Sequence, residues 1–170
     1  MGQIQKIFGP KITRESIYSS QNHSTKPKLD ITFAKDHPLR ILLVEDHPIN
    51  QKLAHTVLKK LGYHADIAGN GLEALKSLEL KNYDLIFMDM QMPVMDGIEA
   101  TQHIIEKYSD NSPVIIAMTA NVLESDKQRC FEAGMQDFIG KPINFKTIEN
   151  CLSKWEPLIK QGKDQVEISP

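Results

Sequence analysis

The stretch Leu85-Ile86-Phe87-Met88-Asp89-Met90-Gln91-Met92-Pro93-Val94-Met95-Asp96-Gly97 decides the fold. Its first four residues are apolar without alternation, which is how a strand reads when both of its faces are covered. The run ends on a carboxylate, Asp89, and passes into a loop marked by Pro93 and Gly97. A carboxylate at the exit of a buried strand adds little to a core, yet it is well placed to act as nucleophile or ligand. Taken alone, Asp89 could equally be a strand-end cap or loop anchor. Its meaning depends on the rest of the chain.

Comparable apolar runs stand at Ile41 to Val44, near His64 to Ile67, at Val114 to Met118 and, briefly, at Phe138-Ile139. Helical periodicity fills the gaps. Ile49, Leu53, Val57 and Leu61 recur every four residues and Leu72, Leu75 and Leu78 every three; Ile98, Thr101, Ile105 and Tyr108 mark a third face, and Phe145, Ile148, Leu152 and Trp155 a last one. Gly62 and Gly134 stand where left-handed helix caps are expected. Residues 122–133, with Glu124, Ser125, Asp126, Lys127, Gln128 and Arg129, offer little continuous apolar face, so that helix is expected to be marginal or mobile. Five strands alternating with five helices, the strands apolar throughout, imply a parallel sheet between two helical layers. The expected architecture is a doubly wound α/β sandwich.

The chain of 170 residues, 41% hydrophobic and 25% charged, holds one domain with tails. Residues 1–37 carry six Lys and Arg against three Asp and Glu, a balance of +3, leaving 14 against 19, or -5, for the remainder. With a net charge of -2, the composition gives no reason to expect nucleic acid or an anionic membrane as partner. Residues 1–37 read as a flexible arm or linker, apart from one short turn at Ile4, Ile7 and Phe8 that Gly9-Pro10 stops; residues 157–170 read as a tail. No run reaches the length of a membrane span, the N-terminus lacks a secretory apolar region, and Lys6 spoils a myristoylation reading of Met1-Gly2. Cys130 and Cys151 have neither disulfide-framework nor metal-ligand spacing. A cytoplasmic, reducing location is expected.

In a doubly wound sheet, functional groups gather at the carboxyl ends of the strands, beside the point where strand order reverses. Here the first strand ends in Glu45-Asp46, the third in Asp89, the fourth in Thr119 and the fifth in Lys141-Pro142. For a strand order 2-1-3-4-5, Asp46 and Asp89 face each other across the switch point. Three carboxylates that close repel, and unless one protonates they need a cation to stay ionised together. An oxygen-only donor set without His or Cys points to Mg²⁺, which likes to bridge carboxylates to a phosphate. Lys141 supplies a mobile charge for phosphate oxygens and Thr119 a hydroxyl donor. Nucleophilic carboxylate, metal, ammonium and hydroxyl together make a phosphoryl-acceptor site with an aspartyl-phosphate product.

At these residues the chain resembles the response-regulator receiver domain of two-component systems. The matching motifs are Leu42-Leu43-Val44-Glu45-Asp46, Met88 to Gly97, Ala117-Met118-Thr119-Ala120-Asn121 and Phe138-Ile139-Gly140-Lys141-Pro142, over roughly residues 38–156. The wording Glu45-Asp46-His47-Pro48-Ile49-Asn50-Gln51-Lys52, with Ala120-Asn121, looks most like receivers attached to hybrid sensor histidine kinases. The resemblance implies a flavodoxin-like (βα)5 sandwich in the order 2-1-3-4-5. By that resemblance Asp89 accepts a phosphoryl group from the phosphohistidine of a histidine kinase or histidine phosphotransfer domain. It further implies Mg²⁺ arranged by Glu45, Asp46, Asp89 and the Gln91 backbone carbonyl, Thr119 and Lys141 on the phosphoryl group, Phe138 at the aromatic switch position, and a cis Lys141-Pro142 bond. Phe138 departs from the commoner tyrosine, so hydroxyl-based switching is absent. The expected output is altered binding of a partner at the face of the fourth helix, fifth strand and fifth helix.

Other readings stand beside this one. His47 reads as a loop residue before Pro48, His103 as a surface residue, the methionines as packing and the cysteines as inert. A haloacid-dehalogenase-type phosphatase also uses an aspartyl-phosphate, but it wants a second acid two residues beyond the nucleophile, where this chain has Gln91. A phosphorylation-independent interaction module is the third reading. No enzymatic turnover beyond slow self-hydrolysis is expected. Only 14 residues follow Glu156, too few for an output domain, so the output is expected from a separate protein or domain.

Overall fold

The computed structural model describes residues 32–166. Five strands, β1 (Ile41–Val44), β2 (Asp66–Ala68), β3 (Leu85–Asp89), β4 (Val114–Thr119) and β5 (Asp137–Gly140), pair in parallel in the order β2-β1-β3-β4-β5. Between and after them run helices α1 (Pro48–Lys60), α2 (Gly71–Leu80), α3 (Gly97–Tyr108), α4 (Glu124–Ala133) and α5 (Phe145–Val166), and a single helical turn, Phe33–Asp36, precedes β1. This is the flavodoxin-like order expected from the sequence. The turn expected at Ile4, Ile7 and Phe8 lies outside the described residues.

The unalternating strands have the burial their composition implies. β1 and β3 are buried along their whole length, and so is β4 from Ile115 onward. Ile41, Leu43, Leu85, Phe87, Ile116 and Met118 pack on one face with Val57, Leu58, Ile148 and Leu152 of α1 and α5. Leu42, Val44, Ile86, Met88, Ile115 and Ala117 pack on the other with Ala74, Ala100, Ile104 and Cys130 of α2, α3 and α4. Alternate side chains along one strand thus serve two cores, each large one stabilising the fold by about 2 kcal/mol.

The helical faces depart in part from their sequence pattern. Of the row Ile49, Leu53, Val57 and Leu61, the last two are buried, but Ile49 is 72% and Leu53 42% exposed. A four-residue step overshoots a helical turn by about 40°, so a row at that spacing drifts off the core within three steps. Ala54 takes the inward place, and Leu72 of α2 is likewise exposed. Helix α4, expected to be marginal, forms over ten residues yet buries only Cys130 and Ala133. Gly62 (φ 93°) and Gly134 (φ 103°) are left-handed as expected, closing α1 and α4 with Tyr63 N–H to Leu58 O and Met135 N–H to Cys130 O.

Both boundaries of the domain extend past the sequence reading. Within the segment read as a flexible arm, Ala34 N–H donates to Leu61 O (3.0 Å), and Phe33 packs against His37 and Tyr63. His37 Nδ1 contacts the buried Glu156 carboxylate at 3.0 Å, and the Tyr63 hydroxyl donates to His37 O. At the other end α5 continues through Pro157 to Val166 rather than giving way to a tail at Glu156.

Its extension is tied to the base of the sheet. Asp84, 6% exposed, accepts from Arg40 N–H (2.7 Å), Nε (3.1 Å) and Nη2 (2.8 Å), and pairs with Lys163 of α5. Burial pushes the Asp84 carboxyl up, but Arg40 and Lys163 outweigh it and bring the group down to about 2. Because the folded value lies below the unfolded one, ionised Asp84 stabilises the fold above about pH 4, and that contribution is lost as pH falls toward about 2. Asp84→Asn is therefore expected to lose about 2 kcal/mol at neutral pH, discounted for its exposed partners, with the gap to wild type closing between about pH 4 and 2. Urea unfolding at a series of pH values measures it.

Candidate functional site

At the carboxyl end of the sheet, β1 passes straight into Glu45, whose backbone N–H donates to Ala68 O (3.1 Å) and so extends the β1–β2 ladder by one residue. The register pairs Val44 with Met88, so Asp89 lies one step beyond the last β1 pair, beside Met118 of β4. Glu45 is 1% exposed, Asp89 5% and Thr119 7%, while Asp46 is half-buried. One carboxylate oxygen from each of Glu45, Asp46 and Asp89 lies within 4.8 Å of the others. The three carboxylates of the sequence-expected set thus stand together.

Lys141 is delivered from β5. Its backbone N–H donates to Thr119 O (2.7 Å), and its bond to Pro142 is cis, as the resemblance implied. Its Nζ stands 2.7 Å from Glu45 Oε2 and 2.9 Å from Asp89 Oδ2, bridging the two carboxylates. Burial lowers the affinity of the ammonium for its proton, but the Glu45 and Asp89 contacts outweigh this and raise it above the ordinary lysine range. For Asp89, burial is the dominant influence, and with Glu45 beside it the carboxyl is held above its ordinary value despite Lys141 and the Gln91 N–H (3.3 Å). Three carboxylates against one ammonium leave two formal negative charges unbalanced. That surplus, on oxygen donors with no histidine or cysteine among them, suits a hard divalent cation.

The loop after Asp89 is held in place by close backbone approach. A Cβ on Gly97 would stand 2.2 Å from the Asp89 carbonyl oxygen, so only glycine fits there. Gly97 N–H donates to Met90 O, and Asp96 caps α3 by accepting from Glu99 N–H (2.9 Å). Between Pro93 O and Met95 N–H (2.9 Å) the chain makes a three-residue turn centred on Val94, whose φ of 72° is a strained value for a β-branched residue.

The cleft above these residues has a volume of about 650 Å³ and is lined by Asp46, Asp89, Gln91, Thr119 and Lys141, together with Arg129 of α4. Arg129 was read only as part of a polar segment. The Thr119 hydroxyl is engaged with its own loop: it donates to Asn121 O (2.7 Å) and accepts from Asn121 N–H (3.1 Å). Phe138 is half-buried, edge-on to Phe131 at 6.2 Å, with Lys127 Nζ 5.0 Å from its ring. His47 and His103 are exposed. One contributor escaped the sequence reading: Asn50, whose side-chain amide donates to Glu45 Oε1 at 3.0 Å. The available signal was its place on the first helical turn after Pro48.

A family model described as the response regulator receiver domain matches residues 41–153, about two thirds of the chain. The chain belongs to the response regulator receiver family. The receiver is 41% identical over 121 residues to hybrid signal transduction histidine kinase K of Dictyostelium discoideum, a match covering 67% of this chain and 10% of that protein. It spans only 5–19% of the length of the curated relatives it matches. Among solved structures, the receiver domain of sensor histidine kinase PA1611 from Pseudomonas aeruginosa, with a magnesium ion in its active site cleft, is 39% identical with a TM-score of 0.65, covering 70% of this chain and 98% of that one. The Saccharomyces cerevisiae complex of the histidine phosphotransfer protein Ypd1 with the receiver domain of Ssk1 gives 31% identity and a TM-score of 0.67, covering 71% and 90%. Receiver sequence, fold and relatives thus agree.

Proposed function

We propose that this receiver takes a phosphoryl group from a phosphohistidine onto Asp89 and thereby switches the binding of a partner. The observation that carries the reading is the Lys141 ammonium bridging Glu45 and Asp89 beside Asp46, a cluster whose surplus negative charge calls for a cation. Mg²⁺ would be held by Glu45, Asp46, Asp89 and the Gln91 backbone carbonyl, where it neutralises charge on the phosphoryl oxygens. An Asp89 carboxylate oxygen attacks phosphorus. The N–P bond of the phosphohistidine breaks, and its electron pair returns to the imidazole nitrogen. Lys141, already against Asp89, follows the charge onto a phosphoryl oxygen.

Switching then proceeds by population shift. The Thr119 hydroxyl leaves the Asn121 carbonyl for a phosphoryl oxygen, and Phe138 moves inward from its half-buried place against Phe131. Of the five helices that flank the sheet, α4 buries the fewest residues, only Cys130 and Ala133, so the remodelled surface is that of α4, β5 and α5. A histidine kinase or histidine phosphotransfer domain is the proposed donor. Two free cysteines, both buried, fit the reducing cytoplasm as its location. The phosphatase reading is weaker, because Gln91 stands where that chemistry wants an acid.

Incubation with acetyl phosphate, with and without Mg²⁺, tests the proposal. The expected result is a mass gain of one phosphoryl group that chelation of Mg²⁺ abolishes. No gain under either condition, with a phosphorylated histidine phosphotransfer protein also inactive as donor, would reject it.

A further inference from the structure

Glutamate has one more rotatable bond than aspartate, and an unrestrained Glu45 would spread its carboxylate over several directions. Here it is fixed, and the residues that fix it come from α1. Oε1 accepts from the Asn50 side-chain amide at 3.0 Å and from the His47 backbone N–H at 3.2 Å, whereas Oε2 faces Lys141 at 2.7 Å. The Gln51 side-chain amide donates to the Glu45 carbonyl oxygen at 2.6 Å, pinning the main chain too. A carboxylate only accepts hydrogen bonds, so it is the NH₂ of Asn50 that meets it.

We propose that Asn50 is a positioning residue for the cation site, dividing the two oxygens of Glu45 so that Oε1 stays committed to α1 and Oε2 alone faces the cleft. This rests on the reading of the cluster as a Mg²⁺ site. The residue type fits the task. Lysine or arginine at position 50 would neutralise Glu45 and compete with the cation, aspartate would repel it, and a neutral amide restrains it while leaving its charge intact. Were Oε1 released, Glu45 could swing both oxygens onto Lys141, drawing the ammonium away from Asp89 and withdrawing a donor from the cation.

The test is Mg²⁺ binding by calorimetry to the unphosphorylated full chain, which needs no turnover. Asn50→Ala is expected to raise the Mg²⁺ dissociation constant about tenfold, the scale typical of groups that orient a metal ligand. The metal-free thermal midpoint should change little. Asn50→Gln, which keeps the donor on a longer stem, should recover part of the affinity. On a Glu45→Asp background, where the shorter carboxylate no longer reaches residue 50, adding Asn50→Ala should change affinity by less than about twofold. Phosphorylation by acetyl phosphate should need more Mg²⁺ for half its maximal rate in Asn50→Ala.

Unaltered Mg²⁺ affinity in Asn50→Ala overturns the proposal, and so does an equal loss on both backgrounds. If the contact only anchored α1, the metal-free midpoint would fall and affinity would not. A wild-type chain that binds no Mg²⁺ would reject the cation-site reading itself, and this proposal with it.

Discussion

Asp89→Asn is expected to abolish phosphoryl acceptance from acetyl phosphate and from a phosphohistidine donor, while the protein remains folded. The amide has nearly the same shape, but no anionic oxygen with which to attack phosphorus. Loss of folding would not explain the result, because Asp89 is a liability to the metal-free fold. Burial and the neighbouring Glu45 raise its folded carboxyl above the ordinary value. An acid whose folded value lies above its unfolded one binds more protons when folded, so its ionisation lowers stability as pH rises through that interval. The neutral amide escapes this cost. The thermal midpoint of Asp89→Asn without metal should therefore equal or exceed that of wild type at neutral pH, and the difference should shrink as pH falls. Intact-mass measurement alongside thermal unfolding checks both halves. A variant that still gained a phosphoryl group would move the acceptor to another residue.

The second large effect is expected at Gly97, where the cause is steric. A methyl group there would lie 2.2 Å from the Asp89 carbonyl oxygen and 3.0 Å from its carbonyl carbon. These are backbone atoms of a central strand, so no rotamer change relieves the clash, and either α3 or the end of β3 must shift. Gly97→Ala should lose about 3 kcal/mol of unfolding free energy. It should also slow phosphorylation, because the displaced backbone is that of Asp89, the proposed acceptor. Gly162 in α5 provides the contrast. Nothing lies within 4 Å of a Cβ built there, and the residue is exposed. Gly162→Ala should instead gain about 0.5–1 kcal/mol, the helix propensity difference. Chemical denaturation of the two variants side by side measures this, and equal effects at the two positions would refute the steric argument.

The sheet was legible because parallel strands buried on both faces leave unbroken apolar runs, and β1, β3 and β4 have such runs. The site was legible because a doubly wound sheet collects the residues that follow its strands, so Glu45, Asp46, Asp89, Thr119 and Lys141 needed only their places at strand ends. What was missed has other causes. Ile49 and Leu53 are apolar without being inward, since their spacing drifts around α1. The ordered turn at Phe33 was hidden inside a polar segment because its hold on the domain is tertiary, through Leu61, Tyr63 and Glu156. Residues 157–170 read as a tail, yet α5 continues through Pro157 to Val166, carrying Lys163 to Asp84. The turning of Thr119 toward Asn121, and the grip of Asn50 on Glu45, are choices of rotamer that no one-dimensional pattern records.

The entry turn and the far end of α5 share a location that affects how this receiver can be joined to other units. His37 meets Glu156, and Lys163 meets Asp84 at the start of β3, both at the amino end of the sheet. Asp89 opens at the opposite end. The described residues thus enter and leave the domain at the pole facing away from Asp89.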